Sequence, residues 1–392
     1  MKDIERIRKS ANEIKDWLTS VRRDFHMYPE LGFEETRTRD KIIGYLEEMN
    51  IEYKVMSKTG VVGLIRGGKE GRTVGFRADI DALPIVDKKE VPYKSTVEGK
   101  MHACGHDFHT SMLLGAAKLL SERKNELKGT VKFLFQPAEE LAEGAKQMVQ
   151  GGALENPDVD YIFGMHVWSD IPVNKVSLQE GPIMASADTW KLKVLGKSCH
   201  GSSSWEGVDS LVCSSAIVQG IQTIISRIND VRSPVVINIG TIRGGERFNI
   251  TPGTTEMEGM NRTFNVNIRN KIPKWMERII KNTCSAYGCD YKFDYNFKCS
   301  VTDNEPKYTR SAIESIKKFM GEDGIINIDR IMGSEDFSEY LGKIPGSLML
   351  LGGRNEEKGC NHSHHSNYFN VDEDALPIGT AAYTQVAIDF LS

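Results

Sequence analysis

The sequence predicts an α/β fold with a mostly parallel sheet, interrupted by an inserted α+β domain. Two observations carry this prediction. In the first part of the chain, short apolar runs alternate with helical patterns, which is typical of βα units around a parallel sheet. From about residue 184 the order of patterns becomes βαββαβ, the ferredoxin-like arrangement of a compact four-stranded unit. Patterns of the first kind resume after about residue 299.

The elements of the first part follow in order along the chain. Apolar residues recur every three or four positions from Ile4 to Phe25, which indicates an opening helix. A second helical pattern runs from about Asp107 to Leu127 and ends before Gly129. Strands are predicted at 61–65, 74–80, 131–135 and 161–167, with another at 347–352. These elements predict one domain that is formed by residues 1–183 and 299–392.

The inserted domain is predicted to span residues 184–298. Its strands are expected at 189–196, 235–242, 255–264 and 291–297, and its helices near 207–228 and 272–286. Each predicted helix carries an apolar residue at every third or fourth position. We therefore expect a separate hydrophobic core in this domain.

Composition argues against several classes of protein. The chain has 392 residues, which is long for one hydrophobic core, so two domains are the prior expectation. A net charge of −4 without a Lys/Arg block gives no reason to expect a nucleic-acid partner. The sequence has no run of about 18 apolar residues and no signal-peptide pattern, so we expect no membrane partner and a cytoplasmic location. Its seven scattered cysteines contain no CxxC, which disfavours a disulfide scaffold.

Groups that bind metals recur at the predicted strand ends. In an open α/β sheet, ligand sites form beyond the carboxyl ends of the strands. Carboxylate, imidazole and thiolate groups together suit Zn²⁺ or a similar transition metal. Each residue alone has an ordinary explanation, such as a core histidine or a buried cysteine, but their common position favours a metal centre. These residues are Asp79, Asp81, Cys104, His106, Glu139, Glu140, His166, His362, His364 and His365.

The motifs that contain these residues resemble a known family. They are RRDFHMYPELGFEE, RADIDALP, MHACGHDFHT, FLFQPAEE, GMHVW, GSEDFS and HSNYFNVDEDALPIG, in that order along the chain. Together they are similar to the M20 metallopeptidases, in particular the amidohydrolase branch with hippurate hydrolases, N-acetyl-amino-acid deacetylases and auxin-conjugate hydrolases. The resemblance runs essentially end to end, and the inserted domain is similar to the family's lid and dimerisation domain.

The resemblance implies a ligand set for two divalent metal ions per subunit, with Zn, Mn, Co or Ni as candidates. The implied ligands are Cys104, His106, Glu140, His166 and His365, with Cys104 at the position of the bridging ligand. His365 rather than His364 follows from the register of the last motif, in which Asn367 replaces the usual Pro. Asp81 is expected to orient a ligand, and its alternative is an ordinary strand-end carboxylate. His26, His102 and His109 receive no role.

The resemblance also implies catalytic and substrate-binding residues. Glu139 matches the general base, and His200 in GKSCHGSSS matches a donor to the oxyanion that comes from the neighbouring subunit. The residues around this histidine depart from the family's G-G-H-A-A-x-P at Cys199, Gly201 and Ser202. Arg262 and Asn249 match residues that bind substrate, and a guanidinium suits the free carboxylate of an N-acyl amino acid. The alternative for Arg262 is a strand residue that pairs with a surface acid.

The expected function is metal-dependent hydrolysis of N-acyl-L-amino acids to a carboxylic acid and a free amino acid. A dipeptidase or carboxypeptidase on the same scaffold is the alternative, because a peptide is also an N-acylated amino acid. A non-catalytic metal-binding or thiol-sensing protein is disfavoured, since Glu139 stands beside a complete ligand set. A homodimer through residues 184–298 is expected, and the sequence leaves the acyl group open.

Overall fold

The computed structural model describes the backbone of residues 2–391 and the side chains of residues 5–391, so the side chain of Ile4 lies outside the described residues. The helices are α1 (Lys2–Glu13), α2 (Lys15–Met27), α3 (Thr36–Glu48), α4 (His106–Ser121), α5 (Gly144–Gln150), α6 (Ser210–Thr223), α7 (Val266–Arg269), α8 (Ile272–Tyr287), α9 (Pro306–Met320), α10 (Ser338–Leu341) and α11 (Ala375–Phe390).

The strands lie between these helices, singly or in groups. They are β1 (Glu52–Met56), β2 (Gly60–Arg66), β3 (Lys69–Asp79), β4 (Lys128–Gln136), β5 (Tyr161–Pro172), β6 (Val176–Ser177), β7 (Gly181–Met184), β8 (Ala187–Leu195), β9 (Cys199–His200), β10 (Val235–Gly244), β11 (Ile250–Thr251), β12 (Thr254–Thr263), β13 (Asp290–Cys299), β14 (Thr302–Asn304), β15 (Ile325–Ile326) and β16 (Gly346–Arg354).

The chain forms two compact units. Unit 1 comprises residues 1–181, 303–329 and 336–392, and unit 2 comprises residues 182–302 and 330–335. The short segment 330–335 therefore groups with the inserted part of the chain, although it lies far along the sequence from it.

Unit 1 is built on an eight-stranded sheet with the order β1-β2-β4-β3-β5-β16-β6-β15. Its central strands β4, β3, β5 and β16 run parallel, whereas β2 pairs antiparallel with β1 and β4. The central strands are buried along most of their length, because helices cover the sheet, as in other parallel sheets. The predicted α/β class with a mostly parallel sheet is confirmed.

Two predicted helices of unit 1 differ from those observed. The opening pattern forms two helices, α1 and α2, that meet at Ile14, and Leu18, Val21 and Phe25 of α2 enter the core. The second helix, α4, ends at Ser121 rather than near Leu127. Its apolar face ends with Leu120, and the polar residues that follow form only a short 3-10 turn at Lys124–Glu126 before β4.

Unit 2 has its own antiparallel sheet with the order β10-β12-β8-β13. In order along the chain these are the second, third, first and fourth strands of this sheet, which is the ferredoxin-like order that the βαββαβ pattern predicts. Its core buries side chains of β8, α6 and α8, among them Trp190, Ile217, Met276 and Ile280.

The helical segment Ser210–Ile228 is the part of the described chain that is long and apolar enough to cross a membrane by length and composition. One such segment is weak evidence for a span, because a core helix passes the same test. This segment contributes Cys213, Ile217, Ile221 and Ile224 to the core of unit 2.

Candidate metal centre

Asp81 joins two residues of the predicted ligand set. The residue lies just beyond β3 and is buried. One carboxylate oxygen, Oδ1, accepts a hydrogen bond from Nδ1 of His106 at 3.1 Å, and the other, Oδ2, accepts from the backbone N–H of Glu140 at 3.1 Å. In the neutral ring, a proton on Nδ1 leaves the lone pair on Nε2 of His106, and this nitrogen is buried without a hydrogen-bond partner in the described part of the chain.

Gly105 places His106 at the first turn of α4. Its φ of 92° lies in the left-handed region, where a residue with a side chain would be strained. A Cβ atom at this position would also approach Cγ2 of Val167 to 2.3 Å. Glycine at position 105 therefore allows the backbone of residues 104–106 to lie close to Val167 of β5.

Cys104 and His166 face each other below this turn. Sγ of Cys104 lies 3.4 Å from Nε2 of His166. Nδ1 of His166 donates to the carbonyl of Val167 at 2.6 Å, which leaves the lone pair on Nε2 toward the thiol. The pairing of β5 with β3 ends at Gly164, so His166 lies at the level of the end of β3 although β5 itself continues to Pro172.

Glu139 and Glu140 lie in the turn after β4. Ala138, directly before them, has a φ of 52°, and its backbone N–H donates to Oε1 of Glu35 at 2.9 Å. The other oxygen of Glu35 accepts from the Thr59 hydroxyl at 2.6 Å. Burial raises the pKa of Glu35 to about 7. This carboxyl group therefore holds the strained backbone from which the glutamate pair projects.

A buried arginine, Arg77, connects the end of β4, just before this turn, to β3 and to the segment that contains Asp336. The guanidinium of Arg77 donates to Asp79 at 2.7 Å, to the side-chain oxygen of Gln136 at 2.8 Å and to Asp336 at 2.9 Å. Asp336 also accepts from the backbone N–H of Ala145 at 2.9 Å. The backbone N–H of Asp336 lies 3.5 Å from Oε1 of Glu139, at the outer limit for a hydrogen bond.

The structure places His365, and not His364, beside the glutamate. Nε2 of His365 lies 3.5 Å from Oε1 of Glu140, whereas His364 turns to the Val167 carbonyl at 3.0 Å and to Ser169 Oγ at 3.2 Å. His365 has a φ of 63°, and its N–H donates to the carbonyl of Ala103 at 2.8 Å. This bond holds it next to the Cys104 segment.

Asn367, the departure from the family's proline, has a definite partner. Its side-chain amide donates to the Val86 carbonyl at 2.7 Å, and its own carbonyl accepts from the N–H of Lys88. The segment that carries His365 is thus fixed by a side-chain contact that proline could not make.

The predicted ligand atoms converge into overlapping groups. The donor atoms of Cys104, His106 and His166 lie within 4.8 Å of one another, and so do those of Cys104, Glu140 and His365. Cys104 belongs to both groups. Burial lowers the pKa of His106, but the carboxylates of Asp79, Asp81 and Glu140 outweigh burial and raise it to about 10. This surplus of buried negative charge favours bound cations.

The three motif histidines without a predicted role, His26, His102 and His109, are all buried. Nδ1 of His109 donates to Asp79 at 2.5 Å, and its Nε2 accepts from the N–H of Val167 at 2.8 Å, so both nitrogens are used. His26 lies between Asp107 at 2.7 Å and Asp87 at 3.3 Å. His102 is buried, and burial lowers its pKa to about 3.

The remaining predicted residues, His200, Asn249 and Arg262, lie in unit 2. Nη1 of Arg262, on β12, and Oδ1 of Asn249 have no hydrogen-bond partner among the side chains of residues 5–391. Burial lowers the pKa of Arg262. The nearby carboxylate of Asp188 is paired with Arg269 at 2.7 Å. His200 is exposed on β9, next to Ile250 of β11.

Three of the residues that shape this centre were missed from the sequence. Glu35, Arg77 and Asp336 all lie in the quoted motifs ELGFEE, RADIDALP and GSEDFS. Their presence in these motifs could have marked them as candidates. Their hydrogen-bond partners are up to 259 residues away along the chain, and no local sequence pattern predicts contacts of that kind.

Comparison with known proteins identifies a family for this chain. A family model described as Peptidase family M20/M25/M40 matches residues 75–389. "Thermostable carboxypeptidase 1" of Saccharolobus solfataricus is 39% identical, over 99% of this chain and 98% of its own length. "N-acetylcysteine deacetylase" of Bacillus subtilis is 37% identical, over 95% of this chain and 96% of its own.

A solved structure from Bacillus subtilis, described as a dinuclear metal binding peptidase from the M20 family, superposes with a TM-score of 0.84. It is 35% identical and covers 97% of this chain and 99% of its own. The resemblance that the motifs indicated is thereby confirmed. The chain is a hydrolase of amide bonds and belongs to peptidase family M20.

Proposed function

We propose that the protein hydrolyses N-acyl-L-amino acids to a carboxylic acid and a free amino acid, with two divalent metal ions. The observation that carries this proposal is the pair of overlapping donor groups that have Cys104 in common, with Glu139 beside them. The name of one relative, "N-acetylcysteine deacetylase", describes an enzyme for such a substrate. The carboxypeptidase relative supports a second candidate, hydrolysis of a peptide at its C-terminal residue.

The residues present fit a two-metal centre. His106 and His166 each have one ring nitrogen held by an oxygen acceptor and the other directed at the cluster, which is the usual arrangement of metal-binding histidines. The buried Nε2 of His106 and Oε1 of Glu140 have no hydrogen-bond partner within the described chain. Cys104, His106, Glu140, His166 and His365 would hold the ions. When bound, divalent ions lower the pKa of a water toward about 7 and polarise the acyl oxygen.

Glu139 is proposed as the general base. It neighbours Glu140, and one carboxylate oxygen of each glutamate lies within 4.8 Å of a ring nitrogen of His106. In this position Glu139 would accept a proton from the attacking water and return it to the departing amine, which leaves poorly without one. Asp81 would act through the residues it orients, His106 and Glu140.

Arg262 and Asn249 are proposed to bind the substrate's free carboxylate and amide. A half-buried guanidinium with an unused N–H is suited to a carboxylate, because charge-assisted bonds to planar oxygens are strong. The pairing with a surface acid, which the sequence left open, has no support among the described ion pairs. The nearby Asp188 is buried and bonds Arg269.

A homodimer through unit 2 is also proposed. Leu211 and Val212 expose apolar side chains on α6, and Val231, which shortly precedes the edge strand β10 in the chain, is 78% exposed. An apolar helix face and an unpaired sheet edge are typical of surfaces that a second copy covers. In a dimer, His200 would serve the other subunit's site. Analytical ultracentrifugation should give twice the chain mass, and a monomer at micromolar concentration would contradict the proposal.

Exchange of each glutamate should separate their roles. Glu139→Gln should leave the metal content intact and lower kcat by about 10²-fold or more, because a general base is lost. Glu140→Gln should instead reduce the metal content, because an amide is a poorer ligand than a carboxylate. Metal analysis by mass spectrometry, together with steady-state kinetics on both variants, would detect a reversed assignment as the opposite pattern.

Kinetics of Arg262→Ala on a panel of substrates should identify the substrate group that Arg262 binds. On N-acyl amino acids the variant should mainly raise KM, whereas on the corresponding α-amides it should change KM little, because no carboxylate is present. Arg269→Ala is unsuitable as a control because it leaves Asp188 unpaired, so Arg243→Ala, an exposed arginine of the neighbouring strand β10, serves instead. Equal losses on acids and amides would contradict the role of Arg262. Faster turnover of dipeptides than of acyl-amino acids would favour the second candidate.

A further inference from the structure

The exposed ring of His200 is held in one orientation by a neighbouring serine. Nδ1 of His200 lies 3.2 Å from the backbone nitrogen of Ser202 and 2.7 Å from the Ser202 hydroxyl oxygen. The ring caps the short 3-10 turn Gly201–Glu206 that follows it. Ser202 is one of the positions at which the sequence departs from the usual surroundings of this histidine.

These two contacts determine which nitrogen of the neutral ring carries the proton. A backbone N–H can only donate, so Nδ1 of His200 must be the acceptor. A neutral imidazole with an acceptor at Nδ1 carries its proton on Nε2. The Ser202 hydroxyl must then donate as well, since Nδ1 has no proton to give. The outcome is an outward Nε2–H donor on an exposed side chain.

We propose that Ser202 is a positioning residue, which fixes His200 in the Nε2–H tautomer and in one of its two ring orientations. The final torsion of a histidine side chain has two broad minima, and a flip of the ring would exchange Nδ1 for a carbon. A donor aimed in advance stabilises a developing oxyanion better than a ring that must first reorient. The inference rests on the proposed function, in which His200 donates to that oxyanion.

The experiment compares Ser202→Ala, Ser202→Thr and, as a matched control, Ser204→Ala, an exposed serine of the same turn with no side-chain bond to His200. Loss of the hydroxyl should lower kcat about 5-fold at unchanged KM and metal content, which is the effect of one hydrogen bond. The threonine variant, which keeps a hydroxyl, should recover kcat to within about 2-fold of wild type. Ser204→Ala should match wild type.

A spectroscopic measurement reads the tautomer without activity. In protein with ¹⁵N-labelled histidine, the ring signals of His200, assigned by their loss in His200→Ala, should show an unprotonated Nδ1 and a protonated Nε2. Ser202→Ala keeps the 3.2 Å backbone N–H contact but loses the shorter hydroxyl bond of 2.7 Å, so the two signals should move toward each other. In Ser202→Thr they should stay. A merely structural serine would change stability and leave these signals in place.

These variants test the role of His200 and the role of Ser202 separately. If His200→Ala retains wild-type kcat, the proposed role of His200 in catalysis is wrong, and the ring spectra still decide whether Ser202 sets the tautomer. If His200→Ala is inactive but Ser202→Ala has wild-type kcat and unchanged ring signals, the positioning role of Ser202 is overturned.

Discussion

The carboxylate of Asp81 connects the chain segments that make the candidate metal centre. Its two oxygens bond His106 at the start of α4 and the backbone of Glu140 after β4, while Asp81 itself follows β3. Both oxygens of this buried carboxylate accept hydrogen bonds. An amide at position 81 would therefore point its N–H group toward one of these two donors. The positions of His106 and Glu140 therefore depend on one buried side chain.

A cluster of buried charged and polar groups around Arg77 supports this arrangement. Arg77 is buried, and it bonds Asp79, Gln136 and Asp336 from three separate segments. Burial of charges is costly unless each is paired, and removal of one partner from a buried pair typically costs about 3–5 kcal/mol. The cluster around Arg77 meets this condition. It fixes the strand ends next to the turn that carries Glu139 and Glu140, so the stability of unit 1 and the geometry of its candidate site are linked.

The sequence predicted most of what depends on local pattern. Periodicity located the central strands, the change to βαββαβ indicated the ferredoxin-like unit, and the motifs brought Cys104, His106, Glu140, His166 and His365 into one hypothesis. It could not predict the side chains that hold them, such as Glu35 under Ala138, because these contacts join segments distant along the chain. It also could not predict the hydrogen bond from Ser202 to His200, which depends on the backbone turn between the two residues.

The central claim is that two divalent ions are held by five side chains with Cys104 between them. A crystal structure of the metal-loaded protein, with anomalous diffraction recorded at the absorption edge of the bound metal, tests it directly. We expect two anomalous peaks, both in contact with Sγ of Cys104, with His106, Glu140, His166 and His365 completing their coordination. A single peak, or peaks centred on Asp79 and His109 instead, would contradict it.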